Sequence, residues 1–296
     1  MADTEKLLSL WAEPPSDTEQ TRCENAERVL KNAIKASDAI KNRDIRIFVQ
    51  GSYRNNTNVR KDSDVDICVC LMDTFTTDYH FSPNFSDETF GISLATYAPA
   101  HFKNDLEAAL IKALGKSNVQ RGNKAFDIRE NTYRVEADVV ACVEHRRYKQ
   151  DGSYDSGTSL FPDNGGEIQN WPQHHCDNGI WKNKETGYRF KRLVRIMKNL
   201  RNSMVEDNVA AAKPIPSFFN ECLVWNTPNN LIGANDLTTD VRRMLFHLWD
   251  STESAEKSKE WGEINEMKYL FSSAQPWSRE EARAWIHAAW NWLDFK

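Results

Sequence analysis

The chain has 296 residues, of which 40% are hydrophobic and 27% charged, and its formal net charge is −5. This length accommodates one large domain or two ordinary ones. The negative net charge gives no general attraction to nucleic acid, although it is compatible with a local basic groove. The longest apolar runs are too short to span a bilayer, and residues 1–6 do not resemble a signal peptide. Six scattered cysteines without a C-x-x-C pair are typical of reduced thiols, so the sequence predicts a cytoplasmic protein.

The apolar periodicity divides the chain into a mixed first half and a helical second half. In chain order, the first half is predicted to contain a helix at 17–41, strands at 45–50 and 65–72, a helix at 98–114, and strands at 125–129 and 133–143. Residues 150–187 are rich in Gly, Asn, Asp and Pro and are predicted to form a long, functional loop. Further helices are predicted at 188–204, 218–225, 236–251 and 279–295.

This order of elements predicts an α+β fold. We expect a mixed sheet with helices over residues 1–165, followed by a helical domain over residues 166–296. The N-terminal helix is counted with the first domain, although it could pack across both.

The motif that indicates chemistry is a Gly51-Ser52 turn followed, after eleven residues, by Asp64-Val65-Asp66. Alternation along a strand places Asp64 and Asp66 on one face. Two adjacent carboxylates repel each other unless a cation lies between them, and Mg²⁺ fits because it takes oxygen ligands and shares them with substrate phosphates. The alternative is that both carboxylates merely solvate the end of a strand.

A third carboxylate, Asp138, lies in the predicted strand at 133–143. If this strand pairs beside the first two carboxylates, the three converge. Three carboxylates and two Mg²⁺ ions are expected for nucleotidyl transfer. Gly51 would allow close backbone approach, and the Ser52 hydroxyl could donate to a phosphate oxygen.

The spacing of Gly51-Ser52 and Asp64-Val65-Asp66 resembles the signature of the nucleotidyltransferase superfamily of DNA polymerase β. Longer stretches resemble the bacterial cGAS/DncV-like nucleotidyltransferases, at residues 51–66, 133–140, 170–179 and 190–198. The Asn-Trp-Pro and Pro-Ser-Phe-Phe stretches favour the CdnE-like clade, and the similarity covers residues 17–295. The resemblance implies a polymerase β-like core and a helical domain like that of poly(A) polymerase and oligoadenylate synthetase, with the active site in the cleft between them.

The resemblance also implies nucleotide contacts in the second half. Lys198 matches a lysine that meets the donor triphosphate, and Arg195 lies on the same basic helix face, which could instead be merely solvated. Ser217 matches a phosphate-binding serine and is also a candidate N-cap. Phe218 matches an aromatic residue that stacks on a nucleobase, with core packing as its alternative. Asn170 matches a region that reads uracil in related enzymes, and its alternative is a turn-forming role.

The histidines of the predicted loop raise a further alternative. His174, His175 and Cys176 could suggest a metal site, but no second ligand pair has suitable spacing. Structural histidines are therefore favoured.

The resemblance implies a Mg²⁺-dependent enzyme, in which Mn²⁺ can substitute. Such an enzyme joins two or three NTPs into a cyclic oligonucleotide and expels pyrophosphate, as part of anti-phage (CBASS) signalling. A cyclic dinucleotide is favoured, with ATP and UTP as expected substrates and cyclic UMP–AMP as an example of the product. The product is expected to act on a separate effector protein.

DNA is not expected to be the activator, because the net charge is negative and the chain lacks a Cys/His insertion like that of animal cGAS. Two other functions stay open from the sequence. One is a template-free transferase that modifies RNA or protein, and the other is a catalytically silent nucleotide sensor. The sequence is also compatible with a regulatory partner.

Overall fold

The computed structural model describes residues 2–14, 17–59, 65–130 and 136–296. It divides the chain into two compact units. The sheet unit comprises residues 16–54 and 63–172, and the helical unit comprises residues 1–15, 55–62 and 173–296. The sequence predicts a single boundary at residue 165, whereas the structure groups two earlier segments with the helical unit.

The sheet unit contains most of the strands and three helices. Its helices are α2 (Asp17–Lys35), α3 (Gly51–Arg54) and α4 (Pro99–Leu114), and its strands are β1 (Ile45–Gln50), β2 (Val65–Asp78), β3 (Val119–Arg121), β4 (Phe126–Ile128), β5 (Ala137–Tyr148), β6 (Tyr154–Leu160) and β7 (Ile168–Asn170). Two 3₁₀ turns lie at Asp87–Phe90 and Lys116–Asn118.

The helical unit is built from the remaining helices. These are α1 (Ala2–Trp11), α5 (Pro172–Glu185), α6 (Phe190–Glu206), α7 (Ser217–Trp225), α8 (Leu237–Ser251) and α9 (Arg279–Trp292), with 3₁₀ turns at Ala210–Ala212 and Asn229–Leu231. Among the residues described, no helix is both long enough and apolar enough to cross a membrane. The predicted α+β composition is confirmed.

Within the described residues, seven strands form one mixed sheet in the order β1-β2-β5-β4-β3, and β6 and β7 continue from β5. Strands β2 and β5 are parallel, and all the other pairs are antiparallel. β5 pairs with β2 along most of its length. It is therefore the strand that brings the N-terminal and later parts of this unit together.

Alternation gives β2 two chemically different faces. Val65, Ile67 and Val69 are fully buried and belong to one apolar cluster with residues of α2 and α4, such as Leu106. Each such side chain stabilises the fold by about 1.5–3 kcal/mol relative to an exposed one. The opposite face begins with Asp66, so the same alternation that builds the core also presents a carboxylate on the other side.

The core of the helical unit surrounds α6. Seven apolar side chains of this helix have no exposed surface: Phe190, Leu193, Val194, Ile196, Met197, Leu200 and Met204. Trp285 of α9 is also fully buried in this cluster.

Helix α1, which the sequence does not predict, explains why the N-terminal segment belongs to the helical unit. The Glu5 carboxylate accepts hydrogen bonds from the backbone N–H groups of Leu237 and Thr238, at 3.0 and 2.7 Å. Asp236, the N-cap residue of α8, accepts from Thr239 N at 2.7 Å. Two carboxylates from distant parts of the chain thus satisfy the first turn of one helix.

The prediction of a loop over residues 150–187 is wrong. This segment holds β6, β7 and the fourteen-residue helix α5. The buried face of α5 is made of His175, Cys176, Gly179 and Lys182, so helical spacing exists without an apolar stripe. The two strands are mostly polar, and β6 pairs with β5 while β7 pairs with β6, which local sequence does not reveal.

Several boundaries also differ. β2 continues to Asp78, beyond the predicted strand at 65–72, because its second half pairs with β5 after an irregularity between Leu71 and Phe75. β5 runs to Tyr148, beyond the predicted strand at 133–143. Helix α2 ends at Lys35 rather than at residue 41.

A buried lysine in α5 gives the fold a pH signature. Lys182 is 5% exposed, donates to the carbonyl of Thr227 at 2.7 Å and lies 5.1 Å from the centre of the Trp225 ring. Desolvation lowers the pKa of Lys182 to about 8. Because the pKa is higher in the unfolded chain, folding costs free energy at pH 7, and this cost falls as pH rises above 8.

We predict that the free energy of unfolding of the wild-type protein, relative to that of Lys182→Met, rises by about 2 kcal/mol between pH 7 and pH 10. Urea unfolding at the two pH values measures this difference. Lys184→Met, which changes an exposed lysine of the same helix, is the matched control and should show no such change. A difference that stays constant with pH would contradict the assignment.

Candidate active site

The predicted carboxylates Asp66 and Asp138 are direct neighbours in the sheet. They are register partners in the parallel pair β2–β5, and both are half-buried. On the outer sides, Gln50 of β1 pairs with Asp66, and Asp127 of β4 pairs with Asp138. Residues directly opposite in adjacent strands point to the same face. The sheet therefore presents three carboxylates in one row.

Gly51 brings the backbone up to this row. It has φ +67°, in the left-handed region, and begins the short helix α3. A Cβ atom at this position would lie 2.9 Å from Cγ of Asp66 and closer still to Oδ2. Any side chain at position 51 would displace the Asp66 carboxylate. Glycine is therefore required here both for the left-handed backbone and for the close approach to Asp66.

The first carboxylate of the motif, Asp64, lies outside the described residues. Among the residues that are described, no group of three or more His, Cys, Asp or Glu side chains has an arrangement that could hold a metal ion. The paired Asp66 and Asp138 nevertheless offer the hard oxygen donors that Mg²⁺ prefers. The residues present fit this ion, and the Mg²⁺ site itself stays a prediction.

Buried thiols lie next to the carboxylates on the same face. Cys68 and Cys70 follow Asp66 at every second position of β2, and Cys142 of β5 is the register partner of Cys70. The three are free thiols, with Cys68 Sγ 2.6 Å from Cys142 Sγ. Burial raises the pKa of the Cys68 and Cys142 thiols, so they remain protonated packing groups.

In the helical unit, Lys198 forms a buried ion pair. The lysine is 2% exposed, and its Nζ lies 3.0 Å from Oε2 of Glu221 and 3.4 Å from Oγ1 of Thr57. Oε2 of Glu221 also accepts from the Thr57 hydroxyl at 3.1 Å, and Oε1 lies 3.2 Å from Nε2 of His175. The predicted triphosphate lysine is thus already held by a carboxylate.

The ionisation of Glu221 follows from these contacts. Burial alone would raise the pKa of its carboxyl, but the charge of Lys198, together with hydrogen bonds from His175 and Lys198, lowers the pKa well below its usual range. A carboxylate can only accept, so Nε2 of His175 is the donor. His175 is therefore structural, as the sequence analysis favours, but it lies on a helix rather than in a loop.

Arg195 connects three segments of the helical unit through hydrogen bonds. Its Nε donates to the carbonyl of Ala12 and its Nη1 to that of Asn56, both at 2.7 Å. Burial lowers its pKa to about 10, which leaves it charged at neutral pH. The predicted contact of Arg195 with a nucleotide stays a prediction.

Helix α7 carries the other two predicted contacts. Its N-cap is Pro216 and Ser217 is the first helical residue, so the predicted N-cap role of Ser217 is wrong by one position. Ser217 is half-buried, and its predicted phosphate contact stays a prediction. Phe219 is fully buried and stacks on Trp277 at 4.8 Å, whereas Phe218 is 36% exposed. The two phenylalanines are thus separated, and Phe218 presents a ring at the surface.

Asn170 ends strand β7 rather than lying in a loop. Its backbone carbonyl accepts from Thr158 Oγ1 at 3.4 Å, while its half-buried side-chain amide has no hydrogen bond among the residues described. A Cβ atom on Gly157 would lie 2.6 Å from this carbonyl and 2.8 Å from Nε1 of Trp171. The amide is thus held on a strand and stays available for a ligand.

The comparisons with known proteins agree with this geometry. The sequence profile of the cGAS/DncV-like nucleotidyltransferase C-terminal helical domain matches residues 177–294, and that of the nucleotidyltransferase domain matches residues 30–119. A protein of Legionella pneumophila named cyclic dipyrimidine nucleotide synthase CdnE is 44% identical over 293 residues, which are 98% of each chain. This chain belongs to the cGAS/DncV-like nucleotidyltransferases.

Two further relatives place it among the CdnE-like members of the family. A protein of the same name from Cecembia lonarensis is 41% identical over 99% of each chain. The structure of the Rhodothermus marinus CdnE c-UMP-AMP synthase with Apcpp and Upnpp superposes with a TM-score of 0.85 and 28% identity, over 98% of this chain and 97% of that one. The family and the fold class predicted from the sequence are confirmed.

Sequence reasoning missed Asp127, Thr57 and Glu221. Asp127 occupies the polar position of an alternating Phe-Asp-Ile segment, which is a signal for a strand but not for its partner. Thr57 and Glu221 are 164 residues apart in the chain, and nothing local marks either as a member of a buried network. These residues become visible only when the strands and helices are paired.

We predict that Gly51→Ala lowers the rate of nucleotidyl transfer by about 100-fold, because the methyl group displaces the Asp66 carboxylate. The left-handed backbone adds a conformational cost of about 1–2 kcal/mol. Gly91→Ala is the matched control, since Gly91 has φ +64° but nothing within 4 Å of its Cβ position. Initial rates and melting temperatures of both variants separate the two effects, and equal activity of the two variants would contradict the prediction.

Proposed function

We propose that the protein is a Mg²⁺-dependent nucleotidyltransferase that condenses two NTPs into a cyclic dinucleotide and releases pyrophosphate. The observation that carries the proposal is the register pairing of Asp66 with Asp138 against Gly51, in a chain that belongs to a family of cyclic nucleotide synthases. Paired carboxylates on one sheet face are the arrangement that nucleotidyl transfer needs.

The reaction assigns a role to each predicted carboxylate. Asp64 and Asp66 would hold two Mg²⁺ ions, and Asp138 would hold the ion nearer the attacking hydroxyl. When bound, these ions would lower the pKa of that hydroxyl and neutralise charge on the triphosphate. Mn²⁺ would substitute, because it takes similar oxygen ligands.

The remaining predicted residues would bind and orient the nucleotides. Gly51 allows the backbone to approach the phosphates, and Ser52 and Ser217 donate hydroxyls to them. Lys198 supplies positive charge to the triphosphate, and Arg195 supports the helix that carries it. Phe218 offers an exposed ring on which a base can stack, which is worth about 1–3 kcal/mol per base.

A pyrimidine is proposed as one of the bases, and ATP and UTP are the first substrates to test. Support comes from the names of the Legionella and Cecembia relatives and from the Upnpp in the Rhodothermus structure. Asn170 adds to this, because its amide offers both a donor and an acceptor to the uracil edge. A cyclic dinucleotide is favoured over a trinucleotide.

The biological setting is part of the same proposal. The product would act on a separate effector protein in anti-phage (CBASS) signalling in the cytoplasm. DNA would not be required for activation, because the chain carries a net charge of −5 and would not attract a duplex by bulk charge.

We predict that Asp66→Asn and Asp138→Asn each lower product formation by about 1,000-fold, which corresponds to about 4 kcal/mol of lost transition-state stabilisation. The assay incubates radiolabelled NTP mixtures with Mg²⁺ or Mn²⁺ and resolves phosphatase-resistant products, which mass spectrometry identifies. Chelation of the metal should stop the reaction. Asp73→Asn, on the same strand but in an exposed ion pair with Arg43, is the control and should keep activity.

The same assay separates the competing functions. Label in RNA or protein would identify a transferase that modifies macromolecules. Absence of any product from every NTP combination, with folded protein, would reject the cyclase and leave a silent sensor.

We predict that Asn170→Ala lowers the incorporation of UTP relative to ATP by about 10-fold. The variant would lose one or two hydrogen bonds to the base, and leaving their partners unpaired costs about 1–3 kcal/mol. Competition between equal concentrations of the two labelled NTPs measures the ratio. Gln169→Ala changes the neighbouring side chain on the opposite face of β7 and is the control. An unchanged base ratio in Asn170→Ala would remove this residue from base recognition.

A further inference from the structure

A buried polar network lies in the helical unit. Glu221 is 3% exposed, and its two oxygens bind groups from three different segments: Lys198 of α6, His175 of α5 and Thr57. The three distances lie between 3.0 and 3.2 Å, which is hydrogen-bond distance but longer than the roughly 2.7–2.9 Å typical of charge-assisted bonds. None of the proposed catalytic steps uses Glu221 itself.

Two of the proposed nucleotide contacts converge on this carboxylate. Lys198, which is proposed to bind the triphosphate, contacts the Glu221 carboxylate directly. Phe218, proposed for a base, lies 5.7 Å from the ring of His175, which donates to the other oxygen of Glu221. One buried carboxylate is thus in contact with the phosphate-binding lysine and, through one histidine, with the base-stacking ring.

A second buried lysine of the same unit shows what the carboxylate provides. Lys182 is also nearly enclosed, but it faces a backbone carbonyl and two aromatic rings, and its pKa falls to about 8. Lys198 has an ionised carboxylate within 3.0 Å. A carboxylate at this distance fixes the direction of the Lys198 ammonium group.

Resting on the proposed function, we infer that Glu221 is a positioning residue for nucleotide binding, which acts through Lys198. It holds the ammonium group in place for a triphosphate, and it also accepts a hydrogen bond from Thr57. Thr57 shortly precedes Asp64, the first carboxylate of the motif, in the sequence. Glu221 touches neither substrate nor metal and is not a catalytic residue.

The test is a double-mutant cycle on the binding of a non-hydrolysable ATP analogue, measured by calorimetry with Mg²⁺. We expect Glu221→Gln to weaken binding by about 10-fold and to raise KM more than it lowers kcat, because the ammonium loses its fixed direction. Lys198→Met should weaken binding at least as much. The double variant, which leaves no buried charge of this pair, should bind no more weakly than Lys198→Met.

Asp240→Asn is the matched control. Asp240 is a fully buried carboxylate of the same unit that accepts from the N–H groups of Gly233 and Ala234, at 2.8 Å each. Its loss should lower the melting temperature without a 10-fold change in analogue affinity. If Glu221→Gln does not fold, Glu221→Asp replaces it, because it keeps the charge but withdraws it by one methylene, and several-fold weaker binding is expected.

The outcomes separate the inference from the function on which it rests. Unchanged affinity in the Glu221 variant, or an equal additional loss in the Lys198→Met background, would overturn the inference alone. Failure of the wild-type protein to bind the analogue would overturn the proposed function and the inference with it. Loss of affinity in Asp240→Asn equal to that in Glu221→Gln would reduce Glu221 to a structural residue.

Discussion

The parallel pairing of β2 with β5 is the constraint on which the rest of the sheet unit depends. It places Asp66 beside Asp138, and the same register buries Val65, Ile67 and Val139 between the sheet and its helices. A slip of one residue would turn the carboxylates into the core and the valines out of it. The free energy of the core therefore maintains the geometry of the site, at about 1.5–3 kcal/mol for each buried side chain.

A different balance holds the helical unit around Lys198. Two opposite charges are enclosed together, and removal of one partner from such a pair costs about 3–5 kcal/mol because the other is left uncompensated. Here the pair joins α6, α7 and the Thr57 segment, and the same helices carry Ser217 and Phe218. The residues proposed for substrate binding therefore lie on helices that this ion pair joins.

The comparisons and the geometry support different parts of the functional conclusion. The relatives establish the family over almost the whole chain. The geometry indicates which carboxylates are neighbours and why a glycine must precede them. In the proposed function, the choice of base falls to other residues, because the carboxylate row would bind metal and the phosphates that all NTPs share. Asn170 on β7 and Phe218 on α7 are the residues whose position and exposure suit that choice.

The sequence by itself determined the chemistry. The spacing of Gly51-Ser52 and Asp64-Val65-Asp66, with Asp138 later in the chain, predicted nucleotidyl transfer and the superfamily. The longer stretches at 51–66, 133–140, 170–179 and 190–198 predicted the family, and the order of elements predicted the α+β fold. These features are readable because they are local: alternation within one strand sets which side chains share a face. The long helices at 98–114, 236–251 and 279–295 were readable for the same reason, since their apolar periodicity is intrinsic.

Only the tertiary structure decided which strands are neighbours and which polar residues are buried. Asp127 joins the carboxylate row through the pairing of β4 with β5, and Glu221 meets Thr57 across 164 residues of chain. Helix α5 was not predicted because its buried face consists of His, Cys, Gly and Lys. The polar members of this face can be buried only because Glu221 accepts from His175 and the Thr227 carbonyl accepts from Lys182. Strand pairing and the burial of polar side chains are properties of the folded chain, which local propensity does not reveal.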